Sequence, residues 1–578
     1  MTFSVDPITF EVVQNALSSI ADEMALVVMR SAYSPVVRDS MDYSTALCDA
    51  NGAVVAQGLT LAVQLGSFPD IMAKIVGDHG TGTRPGDVFI ANDPYGSGGQ
   101  HLPDIYIIKP IYVGDDLAGY ATTMAHHSDV GGIAAGSVAI HARDIHQEGL
   151  RLPILKLYEQ GEPNETLFKV IERNTRSPFQ VLGDLRAQIS SCRTGERGLT
   201  QLVEKHGLEV LNLYFEALHD YAESRMREAI AALPDGVYTN LDHVDGVGED
   251  PKQLDIAVRV EISGSEISID FDGTSDQIEA AINCPTAMIR SAAYCAIRCL
   301  VEDEMPNCEG YMRPIHITAP LGSIFNPREP AACAARGVMG YRAFDVIMGA
   351  LAKAVPQRVI AGCEGGPILF SVGCSHQGRS YVLTEVLVGT WGARFGIDGE
   401  EGVSHPAANL SNQTIELIEA ELPLRVRHYG LVPDSGGPGE YRGGLAFERT
   451  FEFLSESAQF TVRSDRRRCP PYGVAGGMPG RPSINEVIEN TGKPRLIPTM
   501  PMQSYDQSRD DIVRTVSAGG GGYGIALERS PALVLDDVLD GKVSTVGAKR
   551  DYGVVITGEI VDTSATLALR AEMKDEEA

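Results

Sequence analysis

The chain's 578 residues exceed what one hydrophobic core accommodates, so about two to four domains are expected, and 43% hydrophobic with 22% charged residues is a globular balance. A net charge of −29 and a pI near 4.8 exclude nucleic acid as the expected partner, because a phosphate backbone calls for a basic face. No run of apolar residues reads as long and uninterrupted enough to span a bilayer, and Met1 to Gln14 lacks the basic and apolar segments of a secretory signal. The cysteines, at 48, 192, 284, 295, 299, 308, 333, 363, 374 and 469, form no Cys-x-x-Cys pair. Reduced thiols in a cytoplasmic protein are expected, most of them packed as small hydrophobes.

In chain order, Asp6-Pro7 reads as the N-cap and first position of a helix that runs to about Tyr33, with Val13, Leu17, Ile20, Met24 and Val27 on one face. Ser34-Pro35 ends it. Asn51-Gly52 is a hairpin turn leading into a short strand, Ala53 to Gln57. Nearby Asp39, Asp42 and Asp49 suit turn capping better than metal binding on spacing alone. Residues 66–87 read as a helix followed by the turn Pro85-Gly86-Asp87.

The stretch from Asn92 to Gly132 carries the chemistry. A turn-rich loop, Asp93 to Gly99, delivers His101 and Asp104 to the start of a buried strand, Ile105 to Val113. After the turn Gly114-Asp115-Asp116 a second strand leads to His126, His127 and Asp129. Antiparallel neighbours would set the start of one beside the end of the other, so His101 and Asp104 could meet His126 or His127. Two imidazoles and a carboxylate at one sheet end would suit a divalent-metal site, although a lone His-x-x-Asp is more often a local hydrogen-bonded pair. The loop Gly136 to Pro153, with His141, Arg143, Asp144, His146 and Glu148, reads as either pocket wall or solvated surface.

Residues 164–233 are predominantly helical, ending at Leu233-Pro234-Asp235-Gly236. Ile256, Val258, Val260 and Ile262, then Ile267, Ile269 and Phe271, alternate about a turn at Ser263-Gly264, which is a hairpin. Helices follow near Ala287–Glu302 and Tyr341–Val355. From Trp391 the chain is strand- and loop-rich, with glycine runs at Ser435–Gly444 and Gly519–Gly524. These lack the Gly-Lys-Ser/Thr of a P-loop and Rossmann spacing, and read as tight turns where backbones pack closely. Arg570 to Ala578 reads as a frayed tail. The organisation expected is mixed α+β: a metal-site domain at 1–160, a helical segment at 161–235, an α+β middle at 236–390 and a glycine-rich β domain at 391–578.

Asp6 to Glu11, Asp42 to Leu47, Asn92-Asp93-Pro94-Tyr95 with His101-Leu102-Pro103-Asp104, His126 to Gly132, Ser435 to Gly444 and Gly519 to Gly524 together resemble the hydantoinase B/oxoprolinase family. Their order along most of the chain is the specific signal. The resemblance implies the B-type subunit of an ATP-dependent hydantoinase, 5-oxoprolinase or lactamase such as caprolactamase, acting on a small cyclic amide. It implies a hydantoinase A-type large subunit, in a heterotetramer of two copies each, that uses ATP to phosphorylate the amide oxygen before the B-type subunit hydrolyses the ring. Related acetone and acetophenone carboxylases bind a metal through His-x-x-Asp and a later His. The positions that match are His101, Asp104 and His126, with zinc or manganese expected and Asp42 as a further ligand or a base. Asp42, His127 or Asp129 would relay the proton. A bound divalent metal suits this chemistry because it lowers the pKa of water from about 15.7 towards about 7. A carboxylase subunit is the alternative, ranked lower because no large insertion is present, and a non-catalytic scaffold for the ATP-binding partner is a third reading.

Overall fold

The computed structural model describes residues 5–301, 304–489 and 492–577, and its architecture is mixed α+β. Asp6 opens α1 (Pro7–Ser31), its carboxylate accepting the Thr9 N–H at 2.8 Å. Phe10, Val13, Leu17, Ala21, Met24 and Val28 are buried along one face. By length and hydropathy alone α1 is apolar enough to cross a bilayer, contrary to the sequence reading. Its apolar face instead shares a core with a sheet.

That sheet has seven strands: β1 (Tyr43–Cys48), β2 (Val54–Gln57), β3 (Val88–Ala91), β4 (Asp104–Val113), β5 (Asp116–His126), β6 (Leu155–Glu159) and β7 (Glu162–Pro163). They lie in the order β2-β1-β5-β4-β3-β6-β7, and every neighbouring pair is antiparallel. Asp49 caps the β1–β2 turn as expected, accepting the Asn51 and Ala53 N–H groups at 2.9 Å. Strand β3 has four residues, all buried, so it shows no alternation to read. α2 (Phe68–His79) buries Phe68, Ile71, Met72 and Ile75 on one face of the sheet; α1 and the long α3 (Pro178–His206) cover the other. α4 (Leu208–Ala231) gives Leu211, Phe215 and Leu218 to this core and Ala222, Met226 and Ile230 to the next. The helical segment therefore ties two cores together.

The middle sheet comprises β8 (Gly236–Val244), β9 (Leu254–Ser263), β10 (Glu266–Asp270) and β11 (Ile315–Thr318), ordered β11-β10-β9-β8. The β9–β10 pair is the hairpin expected at Ser263-Gly264. α5 (Thr286–Arg298) ends earlier than anticipated, and Glu302 lies outside the described residues. Every residue of α6 (Gly337–Leu351) is buried, Arg342 and Asp345 included, and these two form ion pairs with Asp242 and Arg466. The C-terminal strands are β12 (Ile368–His376), β13 (Arg379–Leu387), β14 (Leu424–Leu431), β15 (Phe447–Phe453), β16 (Ser457–Arg463), β17 (Ile484–Ile488), β18 (Arg495–Leu496), β19 (Tyr505–Gln507) and β20 (Ile512–Val516). They form two sheets, β13-β12-β16-β19 and β14-β15-β20-β17-β18, sharing one core in which Phe370 stacks on Phe451 at 4.9 Å between centroids. β12 and β13, read as middle segment, belong to this sandwich.

Backbones pack closely at the glycine runs, as expected, but Gly519–Gly522 forms no turn. Gly519–Gly522 is extended and buried, and neighbouring backbones surround it: Gly437 N–H donates to the Gly520 carbonyl at 2.7 Å, Gly521 N–H to Gly362 at 2.8 Å and Gly522 N–H to Met478 at 2.9 Å. A Cβ on Gly520 would overlap the Trp391 carbonyl oxygen, and one on Gly521 that of Tyr472. Only glycine admits such close backbone approach. At the other extreme, the supposedly frayed tail is helical as far as described, in α7 (Thr563–Glu577), with Ala578 outside the described residues.

Gly521→Ala should destabilise the fold by about 3 kcal/mol or more, because the surrounding carbonyls cannot yield. Gly77→Ala, on the exposed side of α2 where a Cβ meets nothing within 4 Å, should stabilise by about 0.5–1 kcal/mol. Denaturant unfolding of both variants measures the contrast.

Candidate metal centre

The β4–β5 register pairs Asp104 with His126, so the start of one strand faces the end of the other. The loop before β4 is held from within. Asn92 donates to the Leu102 and Leu150 carbonyls at 2.7 and 2.9 Å and accepts the Leu152 N–H at 2.7 Å. Asp93 accepts the Tyr95 N–H at 3.0 Å and pairs with Arg151 at 2.9 Å. His101 arrives one turn before Asp104, its Nε2 3.1 Å from Asp104 Oδ1, and its ring centroid is 5.0 Å from that of His126. Potential ligand atoms of His101, Asp104 and His126 all lie within 4.8 Å of one another, and all three residues are buried.

Three observations fit this set to a divalent cation. His101 Nε2, Asp104 Oδ1 and His126 Nδ1 are buried without a well-formed hydrogen bond, and a buried polar atom left so is costly. His101 Nδ1 donates to the Ala334 carbonyl at 2.8 Å, a tautomer that leaves the Nε2 lone pair free. Burial lowers both imidazoles, His126 to about 3, so each is a neutral ligand at pH 7. Burial alone would raise the Asp104 carboxyl, but the Arg336 guanidinium outweighs it and holds it below its usual range.

The supports come from far along the chain. Arg336 Nη2 donates to Asp104 Oδ2 and, at 3.0 Å, to Gln100. Glu148 accepts the N–H groups of Cys333 and Ala334, both at 2.6 Å, and so fixes the carbonyl that holds His101. Burial pushes the Glu148 carboxyl up to about 8. A cavity of about 40 Å³ opens beside the triad, bordered by Asp42, Gln64, Arg336, Tyr341 and Arg463 as well as by His101 and His126. Sequence reasoning missed Arg336 and Arg463, which belong to no spacing pattern with the histidines, and had Glu148 only as pocket wall or surface.

The other candidate residues are placed differently. Asp42 borders the cavity outside the triad, accepting from Gln64 Nε2 at 2.5 Å; burial and the Asp104 charge push its carboxyl up to about 7. Strand alternation sends His127 to the opposite face, where its Nε2 meets Gln188 of α3 at 3.0 Å. Asp129 is engaged by the N–H groups of Gly131, Gly136 and Arg176 and by the Arg176 guanidinium. Neither reaches the cavity: His127 contributes to packing, and Asp129 shapes the loop after β5. A second group, Asp345, Cys363 and His405, is also buried and close. There His405 Nδ1 accepts the Ala407 N–H at 3.1 Å and Asp345 is occupied by Arg466, so its donors are already in use.

The sequence model of the hydantoinase B/oxoprolinase family matches residues 6–526. A provisionally assigned B-type component of a D-/L-hydantoinase from Pseudomonas sp. (strain NS671) is 35% identical over 98% of each chain. The beta chain of the caprolactamase of Pseudomonas jessenii is 31% identical over 98% of this chain and 99% of its own. The crystal structure of the ATP-dependent caprolactamase from that organism superposes with a TM-score of 0.93 at 30% identity, covering 98% of this chain and 100% of that one. A nucleotide-free acetone carboxylase structure gives 0.93 at 19% identity, over 99% of this chain and 83% of that one, and shows likeness of fold alone. With a match across most of its length and full-length relatives above 30% identity, the chain belongs to the hydantoinase B/oxoprolinase family.

Proposed function

We propose that this chain is the metal-dependent hydrolytic subunit of an ATP-dependent cyclic amidase, opening a lactam, hydantoin or 5-oxoproline ring that an A-type partner has phosphorylated. The observation that carries the reading is the convergence of three buried potential ligand atoms, on His101, Asp104 and His126, at one end of the β4–β5 hairpin, none with a well-formed hydrogen bond. The names of the relatives, one component each of a hydantoinase and of a caprolactamase, support both the substrate class and the need for a partner.

His101, Asp104 and His126 would hold the ion, zinc or manganese by the character of the donors. When bound, a divalent ion supplies Lewis acidity and activates water near neutral pH. The chain's own residues do the rest. Arg336 keeps Asp104 ionised, and Glu148, through the Ala334 carbonyl, keeps the His101 Nε2 lone pair facing the cluster. Asp42, at the cavity edge with a carboxyl near 7, is placed to take up the proton that water gives up on attacking the ring carbon. Gln64 sets the orientation of that carboxyl. The buried setting excludes bulk water from the reacting groups.

The direct experiment is purification with the A-type partner, metal analysis, and ATP-hydrolysis assays over a panel of cyclic amides. Stoichiometric metal with amide-stimulated ATP turnover is expected. Bicarbonate-dependent turnover of a ketone would point to a carboxylase instead, and a metal-free protein with full turnover would sink the proposal. His101→Ala, Asp104→Ala and His126→Ala should each lose the metal and ring opening while the complex still assembles. His127→Ala should keep the metal and cost about 1–3 kcal/mol in stability, because Gln188 Oε1 loses its partner in the core. Glu148→Ala should weaken metal affinity by about 10–100-fold without touching a ligand, readable by competition with a chelating dye.

A further inference from the structure

Arg463, the last residue of β16, borders the cavity with only 6% of its surface exposed. Its Nη2 donates to the Pro367 carbonyl at 3.1 Å, and among the described residues it forms no ion pair. One carbonyl satisfies a single one of a guanidinium's five N–H donors. Gly337 makes room for it: a Cβ there would lie 2.5 Å from Arg463 Nη1. Gly337 is also the first residue of α6, a 15-residue helix whose N-terminus no side chain caps. Arg336, just before it, is more than nine-tenths buried and spends Nη2 on Asp104 and Gln100, while its Nε has no partner. Asp104 answers the charge of Arg336. Arg463 has no direct ion pair: Asp42, bordering the same cavity, answers its charge only through space, and a cation on the triad would add to the positive charge. A buried charge without a direct partner is costly, and uncapped helix N–H groups beside two guanidinium groups favour an anion.

We propose that Arg463, Arg336 and the N-terminus of α6 form an oxyanion subsite beside the triad, which takes a carboxylate or phosphoryl group carried by the substrate. The assignment rests on the hydrolytic reading above and narrows its substrate to one that presents an anion at this point. A cavity of about 40 Å³ has room for one such group.

The test titrates inorganic phosphate and, separately, acetate into the full-length metal-loaded chain by calorimetry, with metal content measured on the same samples. Wild type should bind at least one anion. Arg463→Gln should weaken that binding by about tenfold or more at unchanged metal content, and Arg463→Lys should restore part of it. Gly337→Ala keeps every charge and only displaces the guanidinium, so it should weaken binding in the same direction even if Arg463→Gln fails to fold. A preference for phosphate identifies the phosphoryl source, and equal or better acetate binding the carboxylate. No anion binding by wild type, or equal affinity in Arg463→Gln or Gly337→Ala, overturns the subsite. Absence of metal with anion binding still dependent on Arg463 would instead strike the hydrolytic reading and leave the subsite standing.

Discussion

The antiparallel register that sets Asp104 opposite His126 is the constraint from which the rest of the centre follows. In a strand only alternate side chains share a face, so the same register that brings His126 to the cavity sends His127 into the core beneath α3. A slip of one residue would exchange them. The sheet resists that slip because β1 and β3 flank the pair, and β4 and β5 are buried for most of their length.

Around the hairpin, the protein spends buried charge sparingly and in pairs. Asp104 meets Arg336, and Glu148 is met by two backbone N–H groups at 2.6 Å. At the cavity several buried groups have no well-formed hydrogen bond, among them His101 Nε2, His126 Nδ1 and the Nε of Arg336. Structural cores satisfy such groups and sites leave them open. The Asp345, Cys363 and His405 group illustrates the contrast, since its hydrogen bonds are already closed by Arg466 and the Ala407 N–H.

Much of the candidate centre is legible in the sequence because its residues are local. A turn at Gly114-Asp115-Asp116 between two apolar runs brings His101 and Asp104 to His126 or His127, and the choice of His126 came from the family resemblance. What pattern cannot reach is what comes from far away. Arg336 and Arg463 enter from a helix start and a strand end more than 200 residues downstream, with no spacing that links them to the histidines. The four buried residues of β3 carry no periodicity. The glycine run at Gly519–Gly522 reads as turns because a residue without a side chain leaves no pattern of burial, whereas packed backbones use it as an extended core. The resemblance to the family supplied the metal and the partner, which the residues alone do not specify.

The pairing of Asp104 with Arg336 also bears on how the molecule can come apart. One partner sits at the start of β4 and the other just before α6, so a chain ending at the close of the helical segment would lose both the guanidinium that meets Asp104 and the residues that cover it. The N-terminal sheet is thus tied to sequence it does not contain, and unfolding of the two regions is expected to be cooperative and not modular.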